Sequence, residues 1–89
     1  MKTLIRARVT NQTEINKLRL WILSRLNDGF EEVHLEATGK ACQRLLDTLA
    51  DIVTLIPVKV ELEFDAKVLV EDGKVKRKPV LRAIISSSE

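Results

Sequence analysis

The sequence has few of the residues that reinforce small proteins. Among its 89 residues there is one cysteine, Cys42, and one histidine, His34. A single cysteine cannot close an intrachain disulfide, and a lone histidine without cysteines at ligand spacing does not make a zinc site. We therefore expect no disulfide, no metal and no cofactor. Association with a second chain is the remaining way to stabilise so small a core.

Aromatic side chains are also scarce. The chain has Trp21, Phe30 and Phe64 and no tyrosine. Proteins that bind single-stranded nucleic acid without sequence preference stack the bases on aromatic side chains, so this composition disfavours a single-strand binder. Trp21 lies off the main apolar stripe of its predicted helix, and we expect it to widen the core rather than to mark a contact surface.

No combination of residues typical of an active site is present. His34 is predicted on a strand between glutamates, and Cys42 is predicted near the start of a helix without a base partner. We interpret His34 as a surface side chain and Cys42 as a small buried one. We therefore expect neither an enzyme nor a small-molecule substrate.

Long apolar runs are missing as well. None approaches the ~20 residues that a membrane-spanning helix needs. Arg6 and Arg8 fall where a secretion signal would require its apolar stretch. We expect no membrane contact and a cytoplasmic location.

The residues that are present favour one compact unit with an uneven charge distribution. The hydrophobic share of 45% supports a packed core, so we predict a single domain over residues 1–89. A net charge of +2 does not by itself indicate a polyanion partner. However, six basic residues between Lys67 and Arg82 stand against only Glu71 and Asp72. This segment is the candidate contact for an acidic ligand.

Hydrophobic periodicity predicts two strand-helix units in the first part of the chain. Apolar and polar residues alternate over 4–9 and 30–37, as in half-buried strands. Between them, apolar residues recur at helical spacing after Asn11, which we interpret as a capping box with Glu14. A second amphipathic helix follows and ends before Pro57.

The last part of the chain predicts a long hairpin. Even-numbered residues from Val58 to Val70 are apolar while most odd ones are charged, which indicates a strand. Asp72 and Gly73 predict a type I′ turn, after which the chain returns over 75–86. The predicted fold is an α/β (α+β) two-layer sandwich of order βαβαββ. It has a mixed four-stranded sheet, two helices on one face and an extended hairpin arm formed by the last two strands.

A two-residue turn fixes which hairpin residues are opposite each other. Counting outward places Lys74 and Lys76 on the same face as Lys67 and Lys78, which are directly opposite, and Arg77 on the other face. Like charges across a strand pair are unfavourable, so this arrangement favours a polyanion partner. The same lysines could instead only discourage edge-to-edge aggregation, and the residues alone leave both interpretations open. Arg6 and Arg8 are ambiguous in the same way.

Several of these segments, in this order, resemble the Alba family of archaeal chromatin and RNA-binding proteins. The resemblance includes Leu-Asn-Asp-Gly at 26–29, Ala-Thr-Gly-Lys-Ala at 37–41 and Asp47 in the helix that follows. Asp72 and Gly73 stand where that family has its extended arm. Together with the βαβαββ order, the resemblance covers nearly the whole chain.

The resemblance implies a dimer, either of identical chains or with a paralogue. The two arms would lie along the minor grooves, while the start of the first helix and the loop at 38–40 would contact the backbone between them. Here Gln12 and Thr13 stand where the family commonly has a lysine pair, and Thr38 stands where it favours a basic residue before the loop glycine. We therefore expect the arm to dominate binding.

The sequence thus predicts a nucleic-acid-binding protein, associated with chromatin or RNA and with the nucleoid. It would contact double-stranded DNA or RNA through the phosphate backbone, largely independently of sequence. The expected contact residues are Lys40 at a helix start and, on the arm, Lys67, Lys74, Lys76, Arg77 and Lys78. The alternative is a divergent subunit that pairs with a more basic Alba paralogue, or joins a ribonucleoprotein, and binds weakly alone.

Overall fold

A computed structural model describes residues 3–87 of the chain. Its elements follow in the predicted order: β1 Leu4–Val9, α1 Ile15–Asn27, β2 Glu32–Thr38, α2 Ala41–Leu55, β3 Val58–Glu71 and β4 Lys74–Ser87. Met1, Lys2, Ser88 and Glu89, which belong to the expected domain over 1–89, lie outside the described residues.

The strands form one mixed sheet in the order β1-β2-β4-β3. β1 pairs with β2 in parallel, and β4 pairs with β2 and β3 in antiparallel fashion. Both helices lie on one face of the sheet, where their buried residues form a single core with the inward-facing residues of the strands. The predicted two-layer fold is confirmed, and its two edge strands are β1 and β3.

The core lies between the sheet and the helices. Alternate strand residues point into it, with Leu35 of β2 and Ile85 of β4 almost fully buried. α1 contributes Ile22, and α2 contributes Leu45 and Ile52, all without exposed surface. Burying such a side chain stabilises a fold by about 1.5–3 kcal/mol each. No helix within residues 3–87 is long and apolar enough to cross a membrane.

α1 begins later than its predicted capping box. The helix starts at Ile15, and no side chain caps it. Thr10 and Thr13 close a turn before it: the Thr13 N–H donates to the Thr10 carbonyl at 3.1 Å, and the Thr10 N–H donates to the Thr13 hydroxyl at 2.9 Å. Because the threonine hydroxyls satisfy the backbone locally, the prediction that Asn11 and Glu14 form a capping box is wrong.

Three side chains singled out in the sequence lie at the margin of the core. Trp21 is partly buried against it, as expected, and the Arg25 guanidinium lies 5.8 Å from the Trp21 ring centroid. Cys42 is also partly buried, and its thiol donates to the Ala37 carbonyl at 3.5 Å. His34 lies on the helix-free face and is half-buried, with its Nε2 3.1 Å from a carboxylate oxygen of Glu32.

The hairpin has the predicted turn and register. Asp72 and Gly73 have φ of 52° and 73°, as a type I′ turn requires. Lys67 pairs with Lys78, as the two-residue turn predicts. From residue 79 to the turn every residue of β4 is exposed, and so is nearly every residue of β3 from 66 onward. Residues 66–79 therefore project from the body, and we call them the arm.

Candidate nucleic-acid interface

The arm carries most of the excess positive charge of the chain. It holds five of the 15 lysine and arginine residues and two of the 13 acidic ones, which leaves +3 on the arm and −1 on the rest. The five cations are Lys67, Lys74, Lys76, Arg77 and Lys78, and all are exposed. A polyanion therefore meets its strongest attraction at this end of the molecule.

The two faces of the arm differ in chemistry. The strand register places four lysines on the side continuous with the helix-free face of the sheet: Lys67, Lys74, Lys76 and Lys78. Arg77 lies on the opposite side with Val68, Val70 and Val75, each more than half exposed. The arm thus offers one strongly cationic face and one apolar face with a single guanidinium.

Within residues 3–87, most arm cations have no acidic partner. Lys76 Nζ lies 3.6 Å from an oxygen of Glu71, but both side chains are exposed, and such pairs contribute about 0–1 kcal/mol. Lys67 and Lys78 lie opposite each other, and neither forms an ion pair within residues 3–87. Because like charges across a strand pair are destabilising, an anion bound at this position would relieve their repulsion.

Lys40 lies in a cleft at the base of the arm. The cleft has a volume of about 600 Å³ and is lined by Arg8, Thr10, Thr38, Gly39, Lys40 and Lys78. Gly39 has a φ of 60°, and its N–H donates to the Pro79 carbonyl at 2.9 Å, which ties the loop to the base of the arm. The structure thereby brings two expected contact residues, Lys40 and Lys78, into one concave surface.

The N-terminus of α2 opens into the same cleft. Ala41, its first residue, lines the cleft, and Lys40 at the cap position makes no capping side-chain bond. The first turn contains no acidic residue. Because the first N–H groups of a helix lack intrahelical partners and carry partial positive charge, this arrangement suits a phosphate group.

Arg8 is a cleft residue that the sequence left ambiguous between a ligand contact and a solvated charge. The alternation of β1 placed Arg8 and Arg6 on the same charged strand face. In the parallel β1-β2 pair, Val9 is opposite Ala37, so the end of β1 lies beside the loop that follows β2. The predicted β1-α1-β2 order already implied this position, because the carboxyl ends of parallel strands meet at the same edge of a sheet.

A row of alternating charges crosses the helix-free face beside the cleft. Arg8, Glu36, Arg82 and Glu63 lie side by side on the four strands. Arg82 nitrogens lie 3.6, 3.7 and 3.9 Å from carboxylate oxygens of Glu36, Glu63 and Asp65, respectively. Arg82 is therefore shared among three acidic groups, whereas Arg8 has no ion-pair partner in the part of the chain that the structure describes.

The start of α1 offers less positive charge than the resemblance implies. Gln12 is exposed, Thr13 is half-buried, and the turn at 10–13 contains no basic residue. A neighbouring cation, Arg44, is directed inward: its Nη1 donates to the Thr13 carbonyl at 3.1 Å. Lys17 in the first turn of α1 is exposed, but its Nζ lies 3.7 Å from a carboxylate oxygen of Glu14, so the start of α1 has no net positive charge.

Comparisons with known proteins identify the architecture. The sequence matches no family model and no curated protein. Among the solved structures that match is Alba from Thermoplasma volcanium, with a TM-score of 0.72 at 16% sequence identity, over 94% of this chain and 99% of that chain. The chain has an Alba-like fold. The resemblance inferred from residues 26–41, Asp47 and the hairpin turn is confirmed for the architecture.

At 16% identity the match describes the path of the backbone and not the surface chemistry. Within its Alba-like fold this chain has its own set of cations. Lys40, Lys78 and Arg8 line the cleft, the start of α1 is neutral, and the arm carries a net +3. The positions of these cations therefore determine where an anionic ligand can bind.

Proposed function

We propose that residues 1–89 form a nucleic-acid-binding domain that grips the phosphate backbone of duplex DNA or structured RNA. The observation that carries the proposal is the arm, with five exposed cations on a hairpin that lies outside the core. Each cation that neutralises a phosphate releases counterions, and such contacts carry no sequence information. The fold likeness to Alba is consistent with this function, which contains no enzymatic step.

The cations divide the contact into two parts. Along the arm, Lys67, Lys76 and Lys78 present a row of point charges, while Arg77 reaches from the opposite face. An arm of six residues per strand extends about 20 Å, enough to follow several phosphates. At its base, Lys40 and the free N-terminus of α2 hold one further phosphate. This division makes the arm the larger contributor.

An apolar strip on the body supports a dimer as part of this proposal. Val53 and Leu55 of α2 and Leu62 and Phe64 of β3 are about half exposed or more, with Phe64 reaching 63%. α2 contacts β3, and β3 is a free sheet edge. Monomeric proteins rarely expose large apolar patches, and the chain has no intrachain disulfide to compensate for its small core.

We assign a second copy of the chain to this α2-β3 strip. In a two-fold symmetric contact the strip of one copy packs against the same strip of the other. The apolar residues of both copies are then buried without any other protein. The dimer then carries two arms, so that binding of the first arm raises the effective concentration of the second. Together with backbone contacts, this supports a role on nucleoid chromatin or on RNA in the cytoplasm.

A second candidate function rests on the neutral start of α1. With Gln12 and Thr13 in place of cations, this chain could serve as the weaker subunit of a pair with a more basic paralogue or within a ribonucleoprotein. In that case the α2-β3 strip would be covered by the paralogue. Weighing mixtures of the two chains distinguishes the cases, because exclusive homodimers that bind tightly alone contradict the heterodimer.

A competition at one fixed salt concentration tests the main proposal. A labelled duplex DNA bound to the purified chain is challenged with unlabelled duplex DNA, duplex RNA and single strands of equal length. We expect both duplexes to displace the label better than single strands do, because the chain lacks the aromatic platform on which single bases stack. Single strands that compete best, or a chain that binds no duplex, would contradict the proposal.

A further inference from the structure

β1 places two arginines at the edge of the sheet. Arg6 and Arg8 lie on its helix-free face, and both are exposed. Neither forms an ion pair or a side-chain hydrogen bond within residues 3–87. Their charges are therefore available to a ligand, unlike that of Arg82 on the same face, which contacts three carboxylates.

The arginines continue the cationic surface that begins on the arm. Arg8 lines the cleft together with Lys40 and Lys78, and it also lines a shallow groove of about 900 Å³ on the helix-free face. Arg6 lines that groove as well. The order Lys78, Lys40, Arg8, Arg6 thus forms one continuous series from the base of the arm to the edge of the body.

We propose that Arg6 and Arg8 form an additional phosphate-binding segment that guides the nucleic-acid backbone from the cleft along the β1 edge. The inference rests on the proposed function and extends the contact beyond the arm and Lys40. Residues two apart in a strand are about 6.7 Å apart, whereas phosphates advance about 3.4 Å per nucleotide along the axis of one strand of a duplex. Each arginine therefore meets a different phosphate, which its planar guanidinium can bind through two hydrogen bonds.

The charges of the neighbouring strands restrict this path to the edge. Beyond Arg8 the groove is lined by Glu36, Glu61 and Glu63, which repel a phosphate. Arg82, which lies between them, already forms ion pairs with Glu36 and Glu63. The outer side of β1, in contrast, has no neighbouring strand in the part of the chain that the structure describes, residues 3–87. A backbone that leaves the cleft is therefore favoured along Arg8 and Arg6 and disfavoured across the sheet.

A second copy of the chain is the competing occupant of these arginines. Two sheets packed face to face about an axis parallel to the strands would bring β1 of one copy over Glu61 and Glu63 of the other. Such a contact would also remove Glu36 and Arg82 from water, at a cost that ion pairs often fail to offset. The backbone path needs no such desolvation and shares Arg8 with the cleft, so we favour it.

Paired substitutions test the proposal against a charge-matched control. Arg6→Gln with Arg8→Gln removes two positive charges at the β1 edge. Lys59→Glu changes the net charge equally at an exposed position on β3, the opposite edge. Affinity for a random-sequence duplex is measured by anisotropy over a series of salt concentrations, with circular dichroism and light scattering to verify fold and mass.

We expect the double glutamine variant to bind at least about tenfold more weakly. Its log-log salt slope should be shallower by about 0.9 for each phosphate that the variant no longer neutralises. The Lys59→Glu variant should keep the slope of the parent. Arg6→Lys with Arg8→Lys should also keep it, because the charge remains, while affinity falls without the bidentate bonds.

Three results would overturn all or part of this account. Unchanged affinity and slope in both the glutamine and the lysine variants would refute the β1 contact while leaving the proposed function intact. An unchanged slope with a fall in assembly mass would assign the arginines to a second copy. A parent chain that binds no duplex would refute the proposed function itself, and with it this extension.

Discussion

The arm and the body share two strands but are stabilised in different ways. In the body, β4 alternates between a buried face, with Leu81 and Ile85 in the core, and an open face where Arg82 contacts three carboxylates. In the arm the same alternation continues, yet both faces are exposed, and most arm cations lack an acidic partner among the described residues. The comparison teaches that alternation alone does not create a core, because a second layer must cover one face.

The difference also means that the body provides most of the folding stability, whereas the arm provides most of the cations proposed for binding. Arm side chains such as Val70 and Val75 are about 70% exposed, so they contribute little to the free energy of unfolding. The hairpin is held mainly by its strand pairing and by its turn at Asp72 and Gly73. Cations can therefore accumulate on the arm at little cost to stability, which is why the predictions below treat arm and body as separable.

The largest expected effect comes from removing charge at the arm. Lys76→Ala, Arg77→Ala and Lys78→Ala together should weaken duplex binding on the order of a thousandfold or more at moderate salt, since neither arm of a dimer could then hold the backbone. Each exposed substitution should change stability by no more than about 0.5 kcal/mol. Anisotropy titration and urea unfolding measure the two quantities.

Lys59→Glu is the control for that variant, because it alters a cation of the body at a position away from the cleft and the arm. It should retain most of the parent affinity. If the triple variant stays folded and binds like the parent, the arm is only a solvated hairpin, and the partner-subunit hypothesis gains support.

The next effect concerns the α2-β3 strip. Phe64→Asp places a charge in the proposed dimer contact, so we expect a monomer by light scattering and duplex affinity lower on the order of a hundredfold through reduced avidity. Leu20→Asp is the matched control, since Leu20 on α1 lies outside both the strip and the arm and is as exposed as Phe64, at 63%. A Phe64→Asp chain of dimer mass would show that the strip is not the contact.

A smaller effect is expected at the cleft. Lys40→Ala removes one cation per chain but leaves the N-terminus of α2 in place, so binding should weaken by roughly tenfold. The salt slope should flatten by about one unit for each phosphate that is no longer neutralised. A loss as large as that of the triple arm variant would reverse the ranking of arm and cleft.

The smallest effect is structural and lies in the body. Arg82→Ala leaves Glu36, Glu63 and Asp65 without their shared cation near the base of the arm. Because these groups are substantially exposed, we expect a loss of only about 0.5–1 kcal/mol in urea unfolding. Arg82→Lys should recover part of it. Full stability of Arg82→Ala would show that the charge row contributes nothing to folding.

Much of this fold could be predicted from the sequence because its signals are local. Alternation over 4–9 gave β1 with its observed bounds, and Asp72 with Gly73 gave both the turn and the hairpin register. The start of α1 could not be predicted in this way. Asn11 is a good capping residue in isolation, but residues 10–13 form a turn of their own, in which the threonine hydroxyls accept from the N–H groups of Thr10 and Gln12.

The candidate site was only partly predictable, since it combines segments distant in sequence. The arm cations follow from the hairpin register alone, because they lie within one local element. The cleft does not, as it requires β1, the loop at 38–40 and the base of β4 to meet. The role of Arg8 was therefore left open, although its place at the end of a parallel strand was already implied by the βαβ order.

The salt dependence of duplex binding by the unmodified chain tests the central claim most directly. If the arm and the cleft grip phosphates, the observed association constant should fall linearly with salt on a log-log plot, with a slope of about −0.9 for every phosphate contacted on B-DNA. A slope equivalent to several contacts, the same for unrelated sequences, is the result that this account predicts. Binding that is insensitive to salt, or absent at low salt, would contradict it.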